Sequence, residues 1–459
     1  MPAAAVEPHI PFVTTGSYPV RSGNRVRPLV DGEAAFRRIG EAIEGARRSV
    51  WLTVTFMAPD FAMPDGRGRL FDMLDRAVAR GLDVRVIFWR HNPESSGYGR
   101  TFYGTPEERD MLGARGSRFR IRWDRAHGAF CQHQKMWIVD AGQRDETAFV
   151  GGMNLRPAYV VPPGHVGAGQ IHDLYVEVSG PAASDVHHNF VQRWNEASER
   201  VADDGVWAND GDERIAFPIR LSGPRGRSLV QIQRTVHAGR YADAHPSPDA
   251  RAFDIAGGEQ SIFAQYLQAI DAARRSIYIE NQAIPVPQVA ARLEAALKRG
   301  VEVVVLVPAD PEEHVRAARR RPEHQAGFAH LVALDRHAHF ALVGIASADA
   351  RGGRTHVYVH SKAMLVDDTW ATIGSGNLHA ASLFGNTEMN ASFWDPEVVR
   401  TLRCQLLAEH LGHDTAHLDD RAALRLYRQV AQDNRAKQDM GSSGWHGLAF
   451  SLDPAAYGE

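Results

Sequence analysis

Lysine is nearly missing from this chain of 459 residues. Four lysines stand among 52 basic residues, so arginine carries almost all of the positive charge. Cysteine is scarcer still. Cys131 and Cys404 alone exclude a disulfide framework and fit two free thiols in a reducing compartment. A surplus of one charge is also absent. A net charge of −3 and a pI of about 6.8 give no broad basic field for a polyanion such as DNA, although a local basic groove stays compatible with 52 basic residues. No apolar run approaches the ~18 residues of a membrane-crossing helix. The stretch from Met1 to Pro28 lacks the apolar core of an ordinary signal peptide. The default expectation is a cytoplasmic protein, with export by another route or loss of a leader left open. What remains, 44% hydrophobic and 23% charged, is a globular composition long enough for two to three domains or one body with two cores.

Two of the four lysines occupy matched positions. One lies in His133-Gln134-Lys135 and the other in His360-Ser361-Lys362. Each is followed at the same distance by an aspartate, Asp140 and Asp367. Each unit then reaches a small-residue turn ending in asparagine, Gly151-Gly152-Met153-Asn154 and Gly374-Ser375-Gly376-Asn377. With 22 histidines and four lysines, chance supplies about 0.2 His-x-Lys triplets. A chain that otherwise chooses arginine has kept the compact ammonium twice beside an imidazole, which points to a requirement for that group.

The pair belongs to a longer internal repeat with an offset of 227. Ala46-Arg47-Arg48-Ser49 before the run Val50 to Val54 matches Ala273-Arg274-Arg275-Ser276 before Ile277-Tyr278-Ile279. Helical spacing places Phe36, Ile39 and Ile43 before the first run, and Phe263, Tyr266, Leu267 and Ile270 before the second. A second helix follows in each copy (Leu70, Leu74, Val78; Val289, Leu293, Leu297) and ends at Arg80-Gly81 and Arg299-Gly300, where glycine suits a helix C-terminus. Strands Val84 to Phe88 and Val301 to Val307 come next. The order predicts an α/β fold of two similar lobes, each a mostly parallel or mixed sheet flanked by helices, related by a pseudo-two-fold axis. Expected boundaries are an N-terminal extension at 1–27, lobes at 28–200 and 250–415, a connecting segment at 201–249 and a helical tail at 416–459. Within the connector, Leu229 to Gln233 reads as a strand opening the second half. Each motif reads as a hairpin, with Asp140 and Asp367 at the turns and each His and Lys on one face of a strand.

Two imidazoles, two ammoniums and two amides around one centre suit a phosphodiester. One histidine can attack phosphorus while the other protonates the leaving oxygen, and Lys135, Lys362, Asn154, Asn377 and Ser375 can hold the non-bridging oxygens. No metal or other cofactor is expected. Each histidine needs a carboxylate to fix its tautomer, and Asp173 and Glu388 are the candidates. Cys131, beside a better-equipped histidine, is not expected to be a nucleophile.

These residues resemble the phospholipase D superfamily, whose hallmark is His-x-Lys-x4-Asp-x6-Gly-[Gly/Ser]-x-Asn. The second copy fits in full from His360 to Asn377. The first has ten residues instead of six before Gly151, which a longer hairpin through Gly142 to Asp145 would absorb. Within the superfamily, Ser276 to Gln282 and Val359 to Leu383 resemble phospholipase D proper, although Leu378 to Ser382 departs from that branch. The resemblance implies two α/β lobes with one site at their interface, and hydrolysis of phosphatidylcholine-like lipids to phosphatidic acid and headgroup alcohol, with transphosphatidylation. It implies His133 as nucleophile and His360 as acid, which the symmetry of the sequence alone does not assign. Asp140 and Asp367 are expected to brace the hairpins. A phospholipid membrane surface is the expected partner, with no nucleic acid, and the chain is expected to be a monomer. The competing functions are a nuclease, a cardiolipin-synthase-like transferase and a non-catalytic binding module. His410, His413 and His417 are read as a solvated helix end, Gly164 to Gly169 as a flexible loop, and Tyr159, Phe384 and the stretch Thr55 to Met63 as core or rim.

Overall fold

The computed structural model describes residues 8–90, 106–126, 128, 130–197, 213–322, 325–348, 353–442 and 444–459. Residues 1–7 of the expected extension and 201–212 of the expected connector lie outside the described residues.

Each lobe is built on seven strands in the same order. In the first lobe, Arg120–Asp124, Asp83–Trp89 and Ser49–Val54 run parallel. Lys135–Val139, Thr147–Gly151, Leu174–Ser179 and Arg21–Val30 then follow antiparallel. The second lobe repeats this with Phe340–Ala348, Glu302–Leu306 and Ser276–Asn281 parallel, then Lys362–Val366, Trp370–Gly374, Glu388–Trp394 and Ser228–Val236 antiparallel. The sheets are therefore mixed, the second of the two expected forms, with parallel pairing confined to three strands per lobe. The helix–strand alternation that suggested it ends where the motif hairpin begins, and a hairpin is antiparallel by construction.

Two edge strands lie across or outside the expected lobe limits. Residue 28 falls inside Arg21–Val30, the edge strand of the first sheet. Ser228–Val236, from the expected connector, is its counterpart in the second. These two edge strands pair with each other at Arg21↔Val230 and Asn24↔Ser228, joining both sheets into one. At the far edge of the second sheet, Ala449–Ser451 from the tail adds a further strand.

The helices follow the apolar spacing. In Gly32–Gly45, Phe36, Ile39 and Ile43 are buried, and in Leu70–Ala79 so are Leu70, Met73 and Leu74. Their counterparts Ser261–Ala272 and Pro287–Lys298 bury Tyr266, Ile270, Leu293 and Leu297. Gly81 and Gly300 close the second helix of each pair at φ 83° and 85°, the left-handed conformation that favours glycine. A third core runs between the lobes. It takes Met136, Ile138 and Val176 from one sheet and Ala363, Leu365 and Ala391 from the other, and it covers them with Phe190 and Trp194 of helix Ala183–Asn195 and Leu424 and Tyr427 of helix Asp420–Asp439. Among the described residues no helix is long and apolar enough to cross a membrane.

The motif aspartates sit at the hairpin turns. Asp140 Oδ1 accepts the backbone N–H groups of Arg47, Arg48 and Ser49 at 2.9, 2.6 and 3.3 Å. Asp367 repeats the pattern with Arg274, Arg275 and Ser276 at 2.9, 2.8 and 2.9 Å. Both adopt positive φ, 58° and 55°, which Asp and Asn tolerate better than most side chains. They tie the hairpin to the start of the neighbouring strand. The first hairpin connects Val139 to Thr147 and the second Val366 to Trp370, so the first loop holds four extra residues, as the spacing requires. Replacing Asp367 with Ala should lower stability by about 2–4 kcal/mol, because three backbone donors lose a charged acceptor in a buried place. Asp367→Asn, which keeps one acceptor and the backbone preference, should lose less than half of that, as measured by equilibrium urea unfolding.

Candidate active site

The histidines lie just ahead of their hairpin strands, on extended segments that cross to the other lobe. Gln132 bridges to Thr387, and His133 N–H donates to Thr387 O at 2.9 Å. In the mirror arrangement Tyr358–Val359 pairs with Ile171–His172, and His360 N–H donates to His172 O at 2.9 Å. Each histidine is thus delivered to the residue preceding a carboxylate of the opposite lobe. His133 Nδ1 bonds Glu388 Oε2 at 2.8 Å, and His360 Nδ1 bonds Asp173 Oδ2 at 2.6 Å. With Nδ1 engaged, Nε2 of each ring is the atom left for a ligand. Among the described residues neither Nε2 takes a hydrogen bond from the protein.

The residue between histidine and lysine anchors the first strand. Gln134 Oε1 accepts from Asn189 at 2.9 Å and Arg193 at 3.2 Å, while its Nε2 donates to Glu388 O. Lys135 Nζ donates to His133 O at 2.8 Å. Lys362 Nζ donates to His360 O and to Gln282 Oε1, the latter at 3.0 Å. Asn154 Nδ2 donates to Tyr159 OH at 3.0 Å, and Tyr159 meets the His360 ring edge to face at 5.3 Å. Among the described residues the Oδ1 atoms of Asn154 and Asn377 have no hydrogen-bond partner.

The two halves differ at the carboxylates. Glu388 accepts from Ser375 Oγ and Ser382 Oγ, both at 2.6 Å, from Asn386 Nδ2 at 3.1 Å and from His133. Asp173 has His360 and the Leu174 N–H at 2.7 Å. Where the second lobe has Ser375 the first has Gly152, and a Cβ there would come within 2.5 Å of Asp173 Oδ1. The charges diverge accordingly. Burial works to raise Glu388, but His133, Lys135 and Ser375 hold it below the usual carboxylate range. Burial lifts Asp173 to about 7 despite Lys362.

The cations crowd one another. Burial lowers Lys135 to about 8 and Lys362 to about 7. Burial lowers His133, partly offset by Glu388. His360 is driven well below the ordinary imidazole range by burial, by Lys362 and by Lys135 and His133 of the first lobe. The two motif sets therefore act on one another through space, as a shared pocket requires. Such a pocket is overcharged on its own, and a monoanionic phosphodiester would relieve it.

His410 and the glycine-rich loop depart from expectation, whereas Cys131 and the apolar stretch do not. Cys131 is buried and its thiol is pushed well above the usual range by burial. His410 is not solvated. It is fully buried between Tyr278 and Tyr427, with its ring 5.1 Å from that of His172, because helix Pro396–Leu411 packs against the back of the site. The loop Gly164 to Gly169 is held between lobes by Gly164 N–H to Glu409 and Ser347 Oγ to Gly167 O. Met57, Phe61 and Met63 are core, Phe384 packs on Phe263, and Phe56 reaches the His133 ring at 6.5 Å. Ser382, Asn386 and Gln282 were not expected in the site; their polar side chains close to the motif are the only trace in the sequence.

Asp173→Asn tests the electrostatics. The folded protein holds the Asp173 proton more tightly than the unfolded chain, so this group lowers stability as pH rises from about 4 to about 7. The asparagine variant should gain melting temperature relative to the parent across that window, while turnover falls about 10²–10⁴-fold. A constant difference in melting temperature from pH 4 to 7 would contradict the assignment.

Two family models match the chain, "Phospholipase D" over residues 165–285 and "Cardiolipin synthase, PLD-like domain" over 266–409. Phospholipase D A of Dictyostelium discoideum is 23% identical over 85% of this chain and 34% of its own length. Cardiolipin synthase A of Pseudomonas entomophila is 27% identical over 82% of this chain and 66% of its own, and the probable cardiolipin synthase YwiE of Bacillus subtilis is 22% identical over 90% and 70%. The chain thus spans about a third of the first of these relatives and just under two thirds of the second. The crystal structure of phosphatidylserine synthase from Haemophilus influenzae Rd KW20 shares the fold, with a TM-score of 0.51 at 13% identity over 90% of this chain and 94% of that one. The chain belongs to the phospholipase D superfamily.

Proposed function

We propose that the protein is a phospholipase D that cleaves the distal phosphodiester of phosphatidylcholine-like glycerophospholipids at a membrane surface. The exchange of carboxylates between the lobes carries this reading, because it fixes each imidazole through Nδ1 and leaves its Nε2 for a ligand, one ring beside an ionised carboxylate and the other beside a proton-holding one. His133, its Nδ1–H held by an ionised Glu388, presents a neutral Nε2 to phosphorus. His360 carries its own proton on Nε2 and gives it to the headgroup oxygen as the P–O bond breaks, while the proton held by Asp173 passes to Nδ1 and keeps the ring neutral. A phosphatidyl group is then carried on His133 Nε2, and the free alcohol leaves. Water or a second alcohol gives its proton to His360 and attacks phosphorus, returning His133 and yielding phosphatidic acid or a new phosphatidyl ester. Lys135, Lys362, Asn154 and Asn377 serve the non-bridging oxygens. Asp140 and Asp367 remain scaffold residues.

A second reading, transfer to phosphatidylglycerol to form cardiolipin, draws support from the cardiolipin synthases among the relatives. Mixed phospholipid vesicles with added ethanol separate the possibilities. Phosphatidylethanol and phosphatidic acid support the first reading, cardiolipin from phosphatidylglycerol supports the second, and nicking of plasmid DNA with inert lipid would defeat both. His133→Asn and His360→Asn should each lower turnover by at least about 10³-fold with the melting temperature within a few degrees of the parent. Activity surviving either change would refute a shared site.

A further inference from the structure

Asp31, His165, His172, Glu280 and Glu409 form a second titratable cluster next to Asp173. Asp31 N–H donates to Asp173 O at 3.0 Å, and His172 directly precedes Asp173. His172 bonds carboxylates through both ring nitrogens, Nδ1 to Asp31 Oδ1 at 2.9 Å and Nε2 to Glu280 Oε2 at 3.1 Å, so it donates from both as an imidazolium. Three carboxylates thus gather around this buried imidazole, and burial, with Asp31 nearby, pushes the Glu409 carboxyl up. Among the described residues no lysine or arginine bonds Asp31, Glu280 or Glu409.

His165 is the odd member. It is fully buried, and among the described residues both its ring nitrogens lack a hydrogen-bond partner, as does Asp31 Oδ2. Its backbone sits at φ 46°, an uncommon conformation for a non-glycine residue and one that persists when the surroundings enforce it. Its Nε2 lies 3.2 Å from Asp31 Oδ2 and 3.4 Å from Glu409 Oε1. Ligands at the ~2.0–2.2 Å of a tetrahedral zinc ion are about 3.3–3.6 Å from each other. The ligand atoms of Asp31, His165, His172 and Glu409 all lie within 4.8 Å of one another.

We infer that Asp31 Oδ2, His165 Nε2 and Glu409 Oε1 bind one divalent transition-metal ion of the zinc class. A divalent cation suits the gathered carboxylates, and His172 stays beside the ion to orient Asp31 through its other oxygen. A water or a second carboxylate oxygen completes four ligands. The ion is structural. It joins Asp31 and the loop carrying His165, both of the first lobe, to helix Pro396–Leu411 of the second, and it steadies the backbone that presents Asp173. The phosphodiester chemistry proceeds without it as a reactant, so this inference stands apart from the proposed function.

Zinc content by mass spectrometry and melting temperature, measured on the full chain, test it. About one zinc per chain is expected. Stripping with a strong chelator should lower the melting temperature by about 5 °C or more, and Zn²⁺ should restore it. Glu409→Gln and His165→Ala should each retain under about a tenth of an equivalent and lose the Zn²⁺-dependent shift, whereas His133→Asn should keep both. A metal-free chain whose melting temperature responds to neither chelator nor Zn²⁺ would overturn the inference, as would full zinc retention by both variants.

Discussion

The structure depends on an exchange. Each lobe supplies a histidine and a lysine but not the carboxylate that orients its own imidazole; that comes from the partner lobe through the Glu388–His133 and Asp173–His360 bonds. A buried imidazole needs a partner at Nδ1, and its orientation then follows from that partner. Here the partners are fixed only when both sheets are docked. The interlobe core, the joined edge strands and the crossing segments ahead of each hairpin all serve that docking.

Sequence symmetry does not produce electrostatic symmetry. Ser375, Ser382 and Asn386 surround Glu388 with donors, whereas Gly152 packs bare backbone against Asp173. One carboxylate is held charged and the other is left near neutrality of charge at physiological pH. Two chemically similar dyads are thereby set to opposite tasks, one suited to attack and one to proton delivery. The Gly-or-Ser difference in the turn before each asparagine, together with Ser382 and Asn386, is where the two halves part.

Much of this was readable in the chain. The 227-residue offset places Asp140 and Asp367 on equivalent backbone donors, and the extra residues before Gly151 become a longer loop without moving the strands. What escaped did so for physical reasons. A repeat reports which residues are equivalent, not which half each one faces, so the crossing of carboxylates is invisible in one dimension. Arg21–Val30 is half-exposed, with Arg25, Arg27 and Pro28 diluting its pattern, and reads as an extension although it closes the sheet. His410 looks solvated among polar neighbours, yet the helix bearing it turns that face onto His172. Burial created by tertiary packing overrides local polarity in each case.

The reciprocal lending of carboxylates has an ancestral corollary. A chain of half this length, bearing one sheet and one His-x-Lys unit, would be incomplete alone but could become whole by pairing with an identical copy, each donating what the other lacks. Fusing two such copies in one polypeptide removes the concentration dependence of that pairing and releases the halves from identity. The divergence at Gly152 and Ser375 is the kind of specialisation that only a fused pair can accumulate.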